Sequence, residues 1–249
     1  MLMRKVLLLL PGLLMLSAVF GQTTELGLSL NTGLFSFAGH SAAPASFINY
    51  STPQHSGYTN DPYGSKSGWC DGLSADLRRV TRRRLLFGVS LGYEALRSQV
   101  SLTGVNVYTG IDAYSIGAKG HTDLTSRFIN LFPSVGYRFT PGKMTVDITG
   151  GLDLAYCLSA GEKGNAGALN GVTFASSRDR KTITMDIRPR LQLSAGYRRT
   201  AVYVGYNSNL QNLVSPLGAD INGNLLRTPD HFINDGRQIF VKISYLFQR

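Results

Sequence analysis

The stretch Gln238-Ile239-Phe240-Val241-Lys242-Ile243-Ser244-Tyr245-Leu246-Phe247 decides the fold. Ile239, Val241, Ile243, Tyr245 and Phe247 take every second position. Gln238, Phe240, Lys242, Ser244 and Leu246 take the others. Successive side chains of a strand point to opposite faces. One face of this segment is therefore wholly apolar and ends in two aromatic rings. The other is mostly polar and carries a lysine.

The same alternation recurs upstream. Leu85, Phe87, Val89, Leu91 and Tyr93 oppose Leu86, Gly88, Ser90, Gly92 and Glu94. Ile129, Leu131, Pro133, Val135, Tyr137 and Phe139 oppose Asn130, Phe132, Ser134, Gly136 and Arg138. Further segments start at Met144 and at Ile183. Weaker ones run through Leu26–Leu34, Trp69–Leu77 and Val202–Tyr206. These make about eight strands, each long enough to cross a bilayer at a tilt, which takes about 9–11 residues.

The connections are uneven. Those at 80–84, 140–143 and 198–200 are short, whereas 38–66, 96–121, 160–180 and 211–236 read as long loops. Short turns alternating with long loops mark a membrane barrel with periplasmic turns and outer loops. The expected fold is all-β: a transmembrane, antiparallel, up-and-down β-barrel of about eight strands. The count becomes ten if the longer loops hide a hairpin. An even count puts both termini on one side, expected to be periplasmic. Tyr137, Phe139, Tyr197, Tyr245 and Phe247 fall at the short-turn ends, and Trp69, Tyr93, Tyr156 and Tyr206 at the long-loop ends. Aromatic rings favour the lipid–water boundary, so two girdles are expected.

Composition agrees. The chain has 249 residues, with 16% charged and 28 Gly. Charged residues lie below the usual ~25%, and Gly lies above the usual ~7%. These values exclude a coiled coil, a disordered chain and a disulfide-dense scaffold. No run of ~18 apolar residues follows Gln22, which excludes a helical membrane span there. Residues 1–21 read as a secretory signal: Arg4 and Lys5, an apolar run from Val6 to Leu16, then small residues before Gln22. Residues 22–249 form one barrel domain, and the expected location is the outer membrane of a Gram-negative cell.

The segment Pro133-Ser134-Val135-Gly136-Tyr137-Arg138-Phe139 before a tight turn, the close Ile243-Ser244-Tyr245-Leu246-Phe247 and the eight alternating strands resemble small outer-membrane barrels. They are most similar to the Bacteroidetes family often called PorT-like, of the OmpA/OmpX architecture. The resemblance covers nearly all of the chain after the leader. It implies surface proteins and secretion accessories, and it implies recognition by the barrel-insertion machinery. The chain ends Phe247-Gln248-Arg249, so Phe247 keeps the parity of the usual terminal aromatic without being last.

With the apolar faces toward lipid, the other faces gather Asp76, Arg78, Glu94, Arg127, Asp147, Asp153, Asp186, Arg188, Arg190 and Lys242. That is five acids and five bases. An eight-stranded barrel is just wide enough for side chains to fill it. Charges buried there must pair, so the expected lumen is a salt-bridged plug without an open pore. The alternative is a small porin with a selective polar conduit. Arg82, Arg83, Arg84, Arg198 and Arg199 form a basic inner rim for lipid headgroups or an acidic periplasmic partner. Nucleic acid has no place in this compartment, despite the net charge of +10.

Candidate chemistry is sparse. His40, His55, His121 and His231 fall in expected outer loops. His121 with Asp123 and Thr125 is the nearest constellation, since i and i+2 share a strand face. A lipid-modifying enzyme would use such a group at the outer rim, but no nucleophile elbow accompanies it. The stretch Gly161-Glu162-Lys163-Gly164 lacks the Lys-[Ser/Thr] ending of a phosphate loop. No enzyme activity, cofactor or metal is expected. Cys70 and Cys157 are expected inside, near the outer rim, on strands that are not neighbours. A disulfide is chemically allowed in the oxidising periplasm, but buried thiols fit that spacing better. The outer loops, rich in Ser, Gly, Asn and Tyr, suit adaptable contacts with an extracellular partner or a role in envelope stability.

Overall fold

In hydrocarbon, backbone N–H and C=O groups must pair within the protein, so a sheet survives there only if it closes. This chain closes. A computed structural model describes residues 23–39, 42–181, 184–208, 218–219, 225–226 and 235–248. The expected leader lies outside them.

Among the described residues there are thirteen strands: β1 (Thr23–Ala38), β2 (Ala45–Ser51), β3 (Ser56–Thr59), β4 (Lys66–Val80), β5 (Leu85–Tyr108), β6 (Ala113–Phe139), β7 (Met144–Ala168), β8 (Thr173–Asp179), β9 (Met185–Tyr197), β10 (Thr200–Ser208), β11 (Gly218–Ala219), β12 (Leu225–Leu226) and β13 (Asp235–Gln248). Eight of them form an antiparallel ring in the order β1, β4, β5, β6, β7, β9, β10, β13 and back to β1. The last and first long strands seal it, from Gly27↔Leu246 to Ala38↔Asp235. The added strands β2, β3 and β8 stay out of the ring, so the barrel count is eight rather than ten.

The short turns sit at one end of the ring. Thr23 pairs with Val80 and Leu26 with Gln248, so the described chain ends share that side with the turns. The first turn is tight: the Arg84 N–H donates to Thr81 O at 2.9 Å, and the Leu85 N–H donates to the Thr81 hydroxyl at 3.0 Å.

The other end departs from the sequence reading. The segments expected as loops at 96–121 and 160–180 are mostly strand. β5 and β6 run for 24 and 27 residues, and only residues 109–112 turn between them. β7 continues to Ala168 and pairs with β8 from Gly161↔Asp179 to Gly167↔Thr173. The first long loop supplies the β2–β3 hairpin, whose β2 lies parallel to upper β5, from Ala45↔Ser101 to Ser51↔Tyr108. The sheet β3-β2-β5-β6-β7-β8 thus stands on one side of the ring as a folded cap. Most of the fourth expected loop lies outside the described residues; within it β11 and β12 pair with each other.

The reason is that, along single strands, the apolar face changes from the outward set to the inward set. On lower β6, Ile129, Val135, Tyr137 and Phe139 point out, while Asn130 and Arg138 point in. On upper β6, Lys119 and His121 point out, while Ala118 and Leu124 are buried. On β5 the outward series passes from Leu91 and Tyr93 to Arg97 and Gln99 as the inward one passes from Glu94 to Leu96, Val100 and Leu102. Apolar side chains leave water wherever water is. Below the rim they face hydrocarbon, and above it they face the interior.

Two apolar layers result. Phe35, Phe37, Cys70, Leu96, Leu124, Phe128, Ala155 and Cys157 pack across the mouth of the ring. Ile48, Leu102, Val105, Val107, Ala118, Ala166, Ala168 and Phe174 fill the cap. Both thiols are buried and free in the first layer, where the Gln238 side-chain amide donates to the Cys70 sulfur at 3.3 Å.

Candidate functional site

Inward-facing positions of the ring strands collect six acids and five bases: Glu25, Asp76, Glu94, Asp147, Asp153 and Asp186 with Arg78, Arg138, Arg188, Arg190 and Lys242. They stack in tiers. At the short-turn end, Arg138 bridges two carboxylates. It reaches Glu25 at 2.6 Å and 3.0 Å, and Asp147 through Nε and Nη2 at 2.7 Å each. Arg78 joins the same pair, 3.3 Å from each carboxylate. The planar guanidinium fork suits two-point contacts of this kind.

In the middle tier, Lys242 Nζ lies 2.6 Å from Asp76 Oδ1, and the Ser29 hydroxyl donates to Asp76 Oδ2. Arg190 stacks between Phe132 and Phe240, with centroids at 4.8 Å and 4.2 Å, and reaches Asp153 at 3.6 Å. Gly205 makes room for Phe240: a Cβ there would lie 2.2 Å from the ring. The uppermost tier centres on Arg188, which is fully buried. It pairs with Glu94, with Asp186 at 2.8 Å and with Asp153 at 4.0 Å, and it stacks on Phe128 at 4.6 Å. Above it lies the first apolar layer.

A cavity of about 20 Å³, lined by Asp76, Arg78, Phe132, Gln192, Tyr203 and Lys242, has room for roughly one water. Paired charges line the described lumen, with the rings and thiols of the first apolar layer above them.

Arg127 is a correction. Expected inside, it is exposed on the outer face and donates to the Ser159 hydroxyl at 3.3 Å. It stands two residues from Ile129 and shares that residue's outward facing. Two inward groups take part that the sequence tally of charges leaves out. Arg138 already stood on the inward set of its strand. Glu25 precedes the first apolar residue, yet it has the parity of Gly27 and Ser29, which is the signal that finds it.

The cap has its own polar clasp. The Thr59 N–H donates to Glu162 Oε1 at 2.6 Å, and Arg180 Nε donates to Glu162 Oε2 at 2.7 Å. Arg180 also donates to Thr59 O. The Thr59 hydroxyl meets those of Thr122 at 2.8 Å and Ser176 at 3.0 Å. Gly164 leaves space for them, since a Cβ there would stand 2.1 Å from Thr122 Oγ1. The clasp ties β3 to β7 and β8 and so closes the cap. Nearby, burial pushes the Asp61 carboxyl above its usual range, against the N–H of Tyr63 and the charge of Arg180.

At the opposite end, Arg82, Arg83, Arg84, Arg198 and Arg199 stand in short turns, with Lys143 in the turn at 140–143. No acid occupies residues 81–84, 140–143 or 198–199. Arg84 and Arg198 adopt φ of 65° and 53°, the left-handed conformation in which glycine is easiest. Two guanidinium groups are thus kept where the backbone disfavours them.

His121 stands on β6 rather than in a loop, facing outward. Its Nε2 lies 3.7 Å from Asp123 Oδ2, and both side chains are well exposed. Thr125 lies two residues further down the same strand. His55 occupies the β2–β3 turn with φ of 47°. His40 and His231 lie outside the described residues. No group of three metal-ligating side chains occurs among the described residues.

No protein-family model matches the sequence, and no curated protein matches it. Solved structures with some similarity include the Neisserial surface protein A, at 12% identity and a TM-score of 0.38, covering 90% of this chain and 98% of that one. The outer membrane protease OmpT of Escherichia coli follows at 12% identity and a TM-score of 0.31, covering 91% and 96%. A mutant of the TodX monoaromatic hydrocarbon channel matches at 11% identity and a TM-score of 0.23, covering 92% and 91%.

Proposed function

We propose that the chain is an outer-membrane β-barrel protein of a Gram-negative envelope, without enzyme activity, whose lumen is closed. Its folded outer cap presents a surface for interaction or envelope stability. Both termini face the periplasm. What supports this reading is the packing inside the ring: three tiers of paired charge under a layer of Phe35, Phe37, Leu96, Leu124 and Phe128. A conduit would need a continuous wet path, and breaking buried pairs to make one would leave charges uncompensated at a cost of several kcal/mol. The band of outward Leu, Ile, Val and aromatic residues supports the membrane placement, because such a surface is not stable in water. Planar-bilayer recording of the purified protein tests it. The expected trace is flat; a steady conductance of porin size would sink the closed reading.

The arginines of the short turns favour a second reading, a secretion accessory of the PorT-like kind that docks an acidic periplasmic partner. Cations held at Arg84 and Arg198 against backbone preference are its support. Replacing Arg82, Arg83 and Arg84 with Gln should leave a heat-modifiable barrel and reduce secretion. Failed insertion instead would assign these residues to assembly.

A further inference from the structure

Outward-facing cations gather just above the apolar band on one side of the barrel. Arg97 follows Tyr93 on β5, and Arg127 precedes Ile129 on β6. The register sets them on adjacent strands, Arg97 opposite Thr125 and Arg127 opposite Ala95. Lys181 Nζ lies 5.7 Å from the ring centre of Tyr156, at the same rim. Arg97 pairs with Asp71 and also donates to Trp69 O at 3.0 Å. Arg127 makes no ion pair among the described residues and donates a hydrogen bond to the Ser159 hydroxyl.

Higher on the same face lies a groove of about 320 Å³, lined by His121, Asp123, Lys163, Asn165, Ala175 and Ser177. These six residues are two rungs of one ladder: His121↔Asn165↔Ala175 and Asp123↔Lys163↔Ser177. They offer hydroxyl, amide, imidazole, ammonium and carboxylate groups to the outside. On the opposite side, the described parts of β1, β10 and β13 end near the rim and build no such wall.

We infer that this face of β5, β6, β7 and β8 binds a phosphorylated glycolipid of the outer leaflet, with Arg97, Arg127 and Lys181 on its phosphates and the groove on its sugars. The inference rests on the outer-membrane reading. Height selects the ligand. The interfacial layer of an ordinary bilayer is about 5–8 Å deep on each side. Arg127 and His121 stand six positions apart on β6; at about 3.3 Å per residue and a tilt near 45°, that is a rise of roughly 14 Å. A glycerophospholipid headgroup meets the cations and stops short of the groove. A headgroup built from sugars reaches both. Guanidinium groups bind phosphate oxygens through paired, charge-assisted hydrogen bonds, and an exposed Arg127 without an acidic partner is ready to do so.

The test is lipid retention by the full-length protein in detergent, read by native mass spectrometry. Three probes are compared: an acylated glucosamine disaccharide carrying two phosphates, its phosphate-free counterpart, and phosphatidylglycerol. The wild type should retain the bisphosphorylated glycolipid about tenfold better than either other probe, a difference of about 1.4 kcal/mol. Arg97→Gln with Arg127→Gln should abolish that preference. His121→Ala with Lys163→Ala should weaken glycolipid retention several-fold and leave phosphatidylglycerol unchanged. Arg127→Gln alone, which breaks no ion pair among the described residues, should still lower retention and guards against a folding artefact. Unchanged retention in a barrel that still shifts on heating overturns the proposal alone. Equal retention of phosphatidylglycerol overturns the role of the groove, and with it the proposal. A wild-type chain that dissolves without detergent overturns the outer-membrane reading as well.

Discussion

The lower and upper halves of β5, β6 and β7 share strands and register but solve opposite problems. In the ring, the outside is apolar and the inside holds eleven charged side chains in paired tiers. In the cap, the outside is polar and the inside is Ile48, Leu102, Val105, Val107, Phe174 and alanines, with one buried clasp at Glu162. The backbone continues without a break while the solvent changes from lipid to water. Alternation by itself therefore does not say which face is the interior. The partner of each face does.

The largest effect that should separate the halves comes from Arg188→Met. It leaves Glu94, Asp153 and Asp186 facing one another, and Asp153 and Asp186 each already carry an oxygen without a protein partner. Removing one partner of a buried ionic cluster costs about 3–5 kcal/mol. Urea unfolding in detergent, followed by the heat-dependent gel shift, should show a barrel of much lower stability. A loss below about 1 kcal/mol would mean the tier is hydrated and weakly coupled.

Next comes the change of solvent itself. Leu30→Arg puts a charge on the lipid-facing surface, where Leu30 is 71% exposed from protein. It should cost about 2–4 kcal/mol if the position lies near the bilayer midplane. Gln99→Arg, outward on upper β5, should stay within about 0.5 kcal/mol. Equal costs in a lipid refolding assay would erase the proposed boundary between the halves.

A smaller and local effect belongs to the clasp. Glu162→Gln keeps the shape but removes the charge that holds Arg180 and lets the amide rotate away from the Thr59 N–H. The expected loss is about 1–3 kcal/mol, confined to the cap. Limited proteolysis should then cut near residues 52–55, while the ring keeps its gel shift. Simultaneous loss of both would make ring and cap one cooperative unit. The smallest effect is expected at the opposite end: Arg82→Gln lies in an exposed turn and should change stability by no more than about 0.5 kcal/mol.

The ring was legible because lipid and a narrow lumen impose one rule on every residue from Leu85 to Tyr93, from Ile129 to Phe139 and from Ile239 to Phe247. The inward charges followed from the same parity. Arg138 stood on an inward face and Glu25 had the inward parity. Arg127 shares the parity of Ile129 and faces out with it, so its charge does not by itself put it inside. The cap was not legible for a different reason. Residues 96–121 carry Ser, Gly, Thr and Asn between apolar residues, which reads as loop when the apolar face is assumed to meet lipid.

Alternation, turn chemistry and the aromatic ends thus determined by themselves an all-β chain closed into a barrel of about eight strands. Their periods are local and survive without any partner. Only the tertiary structure decided which charges meet, where the polarity reverses, and that the first and third long loops fold onto β5 and β7. Those outcomes depend on residues such as Thr59 and Glu162, 103 positions apart in the chain, whose encounter no local pattern encodes.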